Sequence, residues 1–408
     1  MSAVYNPTRR WTLTLDGASF MEWTSVEVER DMQDMTGVFR FELRDALSSA
    51  NTLIFATLAG YKDRVRLGVT AEIKLDGETI MKGWVDTVAP HLRDGEASVS
   101  ISGSDKARDL IDGAATVDGP SEYRGKTVDA IIGEIVKPYG LSVRAEVDVG
   151  AQLDRFTIDG GETAMSAIEK ALRQRGILAT SDGVDTIVLT RTGAKRAPAP
   201  LVLPGNVVSS SGEFTIEGRH SEYRVKGQAE KAAGKRRSTL RLDATAAPLD
   251  SDPADWIADQ EATEGAGVEI EGKAVDPEMK RYRPLVTLGR TQLTAEGAQT
   301  QAEWMARTAR GSSERLEYEV KDYRAGDEQR LWRVNELVPV DDRFQGVNRD
   351  MLIAGVVMVY SQDDGGLTRL RVTSPEAYDT EPEGARRSNH ARQGKAAAKP
   401  LDSTAYAL

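Results

Sequence analysis

The sequence predicts an α+β fold that is mainly β, with two similar antiparallel β-barrel domains and inserted α+β domains. Three observations lead there. Apolar and polar residues alternate with period two between Gly-containing turns near both ends of the chain, the signature of half-buried antiparallel strands. Helical periodicity is confined to a few short interior runs. An order of long strand, Gly turn and alternating strand recurs, once around residues 80–101 and again around 351–372.

The first hundred residues supply the first barrel. Trp11, Leu13 and Leu15 alternate with threonines and stop at Asp16-Gly17, and Val26 and Val28 alternate with Glu27 and Glu29. Val38, Phe39, Phe41 and Leu43 follow Gly37. Strands through Ile73, through residues 80–88 and through residues 97–101 are separated by Asp76-Gly77 and Asp94-Gly95, both hairpin signals. The predicted domain spans residues 1–115.

Residues 120–196 read as a compact α+β unit. Val128, Ile131, Ile132, Ile135 and Val136 share one helical face, and Pro138 with Gly140 ends that run. A second helix is predicted over 162–175, with Ala164, Ile168, Ala171 and Leu172 inward and Gly176 as its left-handed stop. Residues 177–180 and 187–190 form a hairpin around Asp182-Gly183. Ala197-Pro198-Ala199-Pro200 then reads as a stiff connector marking a boundary.

Beyond it, residues 214–216 and 223–225 are predicted to pair as opening strands of the second barrel, assigned to 201–230 with 331–378. Segment 231–330 is assigned as an inserted α+β segment. It opens on a solvated polar loop at 231–237 and carries a helix over 294–310, with Thr294 as N-cap, Ala298, Ala302, Met305 and Ala309 on one face, and Gly311 as stop. The strand over 351–361 would reach about 36 Å, long for a strand. The two barrels are matched by setting Lys82-Gly83-Trp84-Val85 against Ala354-Gly355-Val356-Val357, and residues 26–43 against 214–225. Residues 379–408 carry scattered Arg and Lys with no periodicity and read as a flexible basic tail.

Composition narrows function. A chain of 408 residues, 40% hydrophobic, has room for several packed domains. Its net charge of -11 argues against a binder that works by neutralising nucleic-acid phosphates. With no cysteine, disulfides, thiolate metal sites and cysteine nucleophiles are excluded together. Neither a signal-peptide pattern nor an apolar run long enough for a membrane helix is visible, so no stable membrane binding is expected.

Motifs for catalysis fall short one by one. Gly125-Lys126-Thr127 resembles the end of a phosphate loop, but Gly119 is misplaced and Pro120 removes a donor, so a helix start is preferred. Gly265-Ala266-Gly267 lacks the third glycine of a dinucleotide fingerprint. His91, His220 and His390 are too scattered for a zinc site or a triad. Asp341-Asp342 and Asp363-Asp364 are the carboxylate pairs a glycosidase would need, yet both sit where turns are expected, and Asp favours turns through its own side chain. Trp84, Trp304 and Trp332 fit core packing. No catalytic, cofactor or metal residue is assigned.

Three stretches resemble baseplate hub proteins of Mu-like contractile-tail phages, which are similar to the hub part of type VI secretion spikes. The first runs from the 162–175 helix through Arg173-Gln174-Arg175-Gly176-Ile177-Leu178 and Thr180-Ser181-Asp182-Gly183 to Val188-Leu189-Thr190-Arg191. The second is Ser221-Glu222-Tyr223-Arg224-Val225-Lys226-Gly227-Gln228. The third combines Leu331-Trp332-Arg333-Val334-Asn335, Leu352-Ile353-Ala354-Gly355-Val356 and Ser374-Pro375-Glu376-Ala377-Tyr378. The resemblance implies a non-catalytic virion protein, assembled in the host cytoplasm. It further implies a homotrimer whose six tube-like barrels form a ring joining the tail tube to the central spike, near wedge or tape-measure proteins, with DNA only in transit. A tail-associated wall hydrolase, and a hub of a secretion system or contractile bacteriocin, stand as alternatives.

Overall fold

The computed structural model describes residues 10–21, 23–46, 65–93, 96–228, 269–289 and 294–382. The Asp94-Gly95 turn, the 231–237 loop, Gly265-Ala266-Gly267 and almost all of the basic tail lie outside them.

The first strands are β1 (Trp11–Leu15), β2 (Ala18–Phe20), β3 (Ser25–Asp31), β4 (Gly37–Ala46), β5 (Thr70–Leu75), β6 (Glu78–Arg93) and β7 (Glu96–Asp105). Period-two alternation places Trp11, Leu13 and Leu15 fully inside. The Asp16-Gly17 and Asp76-Gly77 turns have positive φ at both residues, the backbone that a two-residue hairpin demands.

The α+β unit follows: a helical turn (Asp109–Asp112), β8 (Glu122–Tyr123), α1 (Val128–Val136), β9 (Ser142–Ala145), β10 (Phe156–Thr157), α2 (Ala164–Arg173), β11 (Leu178–Ser181) and β12 (Thr186–Thr190). β8 pairs with β10, and β12 lies between antiparallel β11 and parallel β9. The five predicted apolar residues of α1 are all buried. Thr163 caps α2 by accepting the Ser166 amide at 3.3 Å, which sets the helix start two residues later than the periodicity alone suggests. The two helices and this small sheet share a core separate from that of the large sheet.

The chain continues with β13 (Lys195–Arg196), β14 (Leu201–Leu203), β15 (Val207–Phe214), β16 (Glu222–Gln228), β17 (Glu269–Val275), β18 (Pro284–Leu288), α3 (Ala295–Gly311), β19 (Glu314–Lys321), the short pair β20 (Arg324–Ala325) and β21 (Arg330–Leu331), β22 (Glu336–Asp342), β23 (Val347–Ser361) and β24 (Gly365–Thr373). One 14-stranded sheet runs β15-β19-β24-β23-β3-β4-β7-β6-β5-β1-β2, with β22 also on β23 and with β13 and β14 both parallel to β22. The Ala197–Pro200 connector therefore runs beside β22, between two short strands that share that partner. Proline fits there because an edge segment can lack N–H donors.

The expected pairing of residues 214–216 with 223–225 does not form. β15 instead ladders with β19, a strand that lies within the 231–330 segment expected to be the insertion. β16 is the middle of a separate sheet, antiparallel to β17 and parallel to β18. Alternation tells a strand which face is apolar but not which partner it takes, and β15 and β19 are about a hundred residues apart. Residues 220–306 belong to a second compact unit. Within it Val225 packs on Ala298 and Ala302 of α3, and a Cβ on Gly272 would lie 2.1 Å from the Ala298 carbonyl group.

Candidate assembly surface

The groups weighed for chemistry turn out to be tied into turns and packing. Asp342 accepts from the Ser210 hydroxyl at 2.7 Å and from the amides of Phe344 and Gln345 at 2.8 and 3.0 Å. Burial pulls its pKa up, but these donors win and hold it below the usual carboxylate value. Asp364 is bound by Ser361, which donates its hydroxyl at 3.1 Å and accepts the Asp364 amide at 2.9 Å. Thr127 is the N-cap of α1, and Lys126 pairs with Glu134 on that helix and sits over the Tyr123 ring. His91 is exposed on β6, and His220 meets Tyr223 edge-on. His390 lies outside the described residues. Trp84 donates to Asp109 at 2.9 Å, and Trp332 is buried. Among the described residues no group of three or more His, Asp or Glu is placed to hold a metal ion.

Polar chemistry concentrates instead where parts of the first unit meet. β23 pairs with β3 from Gly355 opposite Asp31 to Ser361 opposite Ser25, joining the two halves of the sheet. Arg371 on β24 crosses β23 to reach Glu29 and, at 3.0 Å, Asp31 on β3. It crosses at Gly355, where a Cβ would come within 2.6 Å of Arg371 Nε. Arg10 also ties the two halves together, binding Asp76 of the first and Asp322 of the second at 2.7 and 3.0 Å. The Trp11 indole donates to Tyr323 at 3.1 Å, and the Tyr323 hydroxyl donates to the Val359 carbonyl at 3.1 Å.

A second joint docks the α+β unit on the first half-sheet. Ser181 donates to Asp105 Oδ2 at 2.8 Å and accepts the Gly183 amide at 2.9 Å, while Arg30 donates to the Ser181 carbonyl. The Lys82 amide donates to the Gly183 carbonyl at 2.8 Å. Burial raises the Asp105 pKa despite its donors, and burial lowers that of Arg30. A cleft of about 310 Å³ opens beside this joint, lined by residues that include Glu78, Glu146, Lys195 and Glu336. Its charges largely answer one another: Lys195 binds Glu146 at 2.7 Å, and Arg330 binds Glu336. The Ser181–Asp105, Arg30–Ser181 and Lys195–Glu146 ties were not visible in the sequence, because each joins segments far apart in the chain.

The two halves of the large sheet follow one plan over five strands and differ at the sixth, since β1 is antiparallel to β5 whereas β14 is parallel to β22. Their strand orders are β3-β4-β7-β6-β5-β1 and β15-β19-β24-β23-β22-β14. β6 is bulged between Val85 and Thr87 against β7, and β23 between Ile353 and Gly355 against β24. Superposing the bulges matches Val85 with Ile353, Phe39 and Phe41 with Leu316 and Tyr318, and Ile73 with Val340, all buried. Gly355 then matches Thr87 and not Gly83, and β3 and β4 match β15 and β19. The repeat expected from the sequence exists, with its register and opening strands corrected.

Three family models match in succession: Mu phage baseplate assembly protein GpP-like, N-terminal, over residues 10–105; baseplate hub protein gp44-like, second domain, over 107–191; and Mu phage baseplate assembly protein GpP, fourth domain, over 294–381. Baseplate hub protein gp44 of Escherichia phage Mu is 29% identical over 371 residues, covering 90% of this chain and 88% of the relative. The crystal structure of the 43 kDa tail protein of prophage MuSo2 from Shewanella oneidensis superposes with a TM-score of 0.73 at 27% identity, covering 91% of this chain and 99% of that one. A tail protein from Neisseria meningitidis has the same fold, with a TM-score of 0.66 at 19% identity and coverage of 91% and 99%. A duplicated β-sheet carrying an α+β unit, shared with these proteins along nearly their whole length, defines a structural protein of the phage tail. Within that class the chain is a homologue of the Mu phage baseplate hub protein, a component of the virion tail. Its relatives are structural and not enzymes, so the wall-hydrolase alternative falls.

Proposed function

We propose that this hub works as a homotrimer. Two tube-like barrels per chain would make a six-part ring that meets the tail tube on one side and the central spike on the other, with DNA passing through in transit. The internal duplication carries this reading: two half-sheets of matched strand order in one chain let three chains present six similar faces, the geometry needed between a six-fold tube and a three-fold spike. In this reading residues 120–196 stand outside the ring proper. The net charge of -11 favours a wall that repels passing DNA. Sedimentation of the purified chain, alone and with the spike protein, tests it. A species of three times 44.4 kDa is expected; a strict monomer that also fails to bind the spike would refute it.

A further inference from the structure

The duplicated sheet leaves two edges unequal. In the second half, the strand after the bulge, from Gly355 to Ser361, is covered by β3 of the first half. Its counterpart in the first half is the segment of β6 from Thr87 to Arg93. This segment pairs with β7 on one side, and no described strand pairs with its other side. The counterpart of β3 is β15, which pairs with β19 on one side and with no described strand on the other. One chain thus holds one copy of a strand pairing and both separated halves of a second copy.

We infer that the β6 edge of one chain takes the β15 edge of a second copy as its next strand, antiparallel and head to tail. This rests on the ring reading above and gives it a contact. Transferring the β23–β3 register through the bulge alignment sets Val88 opposite Phe214, Ala89 opposite Glu213 and Pro90 opposite Gly212 of the neighbouring copy. These repeat the internal pairs Val356–Arg30, Val357–Glu29 and Met358–Val28. The side chains suit the register. Phe214 is 58% exposed in the single chain. Opposite Val88 it would form an aromatic–β-branched pair of the kind that stabilises antiparallel sheets. Pro90 withholds one N–H from the edge, which guards it against indiscriminate pairing. Its proposed partner Gly212 offers an amide and no side chain to obstruct the ring. Joining unlike edges makes a heterologous contact, which closes into a ring when the rotation allows.

The chain has no cysteine, so engineered disulfides report this contact cleanly. Directly opposed residues on antiparallel strands have Cα atoms about 4.5–5.5 Å apart, within disulfide reach. The full-length double variant Ala89→Cys with Glu213→Cys, oxidised and run on a denaturing gel, is expected to lose its 44.4 kDa band to covalent dimer and closed trimer. Each single variant should stay monomeric on the gel, and a mixture of the two singles should stop at dimer. Ala89→Cys with Ser211→Cys, two residues out of register, should cross-link far less. A double variant that sediments as a trimer yet does not cross-link would overturn the edge pairing and leave the ring reading standing. One that neither cross-links nor leaves the monomer would overturn both. Cross-linking of Ala89→Cys with itself would show like edges meeting and overturn the head-to-tail arrangement.

Discussion

Removing one hydroxyl, in Ser181→Ala, tests how the α+β unit is held to the sheet. Ser181 is 4% exposed, and its Oγ makes two buried bonds, to Asp105 Oδ2 and from the Gly183 amide. The amide loses its side-chain acceptor in a tight turn, at about 1 kcal/mol or more, and the buried Asp105 loses a donor worth about 2 kcal/mol. The Ala107 amide at 3.1 Å still serves Asp105, so the total is about 3 kcal/mol. If the unit unfolds together with the sheet it is docked on, as a cooperative body of roughly 150–250 residues or slightly more, that lowers Tm by about 6–12 °C. Calorimetry on parent, Ser181→Ala and Ser181→Thr measures it, the threonine retaining the hydroxyl. Hydrogen exchange at Lys82, whose amide is held by the Gly183 carbonyl, should accelerate in the alanine variant. A loss below about 1 kcal/mol, with the Lys82 amide still protected, would show that the hairpin docks without the hydroxyl and refute the reasoning.

Two further outcomes follow from the seam and from the turn at Asp342. A Cβ at Gly83 would sit 1.8 Å from the Ser104 carbonyl oxygen, whereas one at Gly355 meets chiefly the movable Arg371 side chain. Gly83→Ala should therefore cost at least about 2 kcal/mol and Gly355→Ala nearer the roughly 1 kcal/mol of a half-exposed ion pair; urea midpoints in the reverse order would contradict this. Asp342 has a folded pKa below its unfolded value of about 3.9, so its contribution is complete above that pH and is lost as pH falls below it toward the folded value. Asp342→Asn should lower stability by about 1 kcal/mol at pH 7 and converge with the parent in acid, and a difference that stays constant from pH 7 to pH 3 would exclude the carboxylate as its source.

Local chemistry was legible from the residues. Asp16-Gly17 and Asp76-Gly77 specify hairpins because few residue pairs tolerate positive φ twice. The apolar stripes of α1 and α2, and the Gly140 and Gly176 stops, announce helices of the right length. Even the duplication shows as a recurring order of long strand, turn and strand. The failure at residues 222–228 came from the same kind of pattern: Tyr223 and Val225 alternate as convincingly for a separate sheet as for the second barrel.

Element types, turns and apolar faces were written locally in the chain, since these depend on φ preferences and on periodicity within a few residues. The long-range partners came from folding as a whole: β15 pairs with β19, β23 carries β3, Arg371 crosses at Gly355, and Ser181 finds Asp105. Those choices join segments tens to hundreds of residues apart. A strand's alternation names the face it buries and leaves its hydrogen-bonding edges open to any partner the rest of the chain brings alongside.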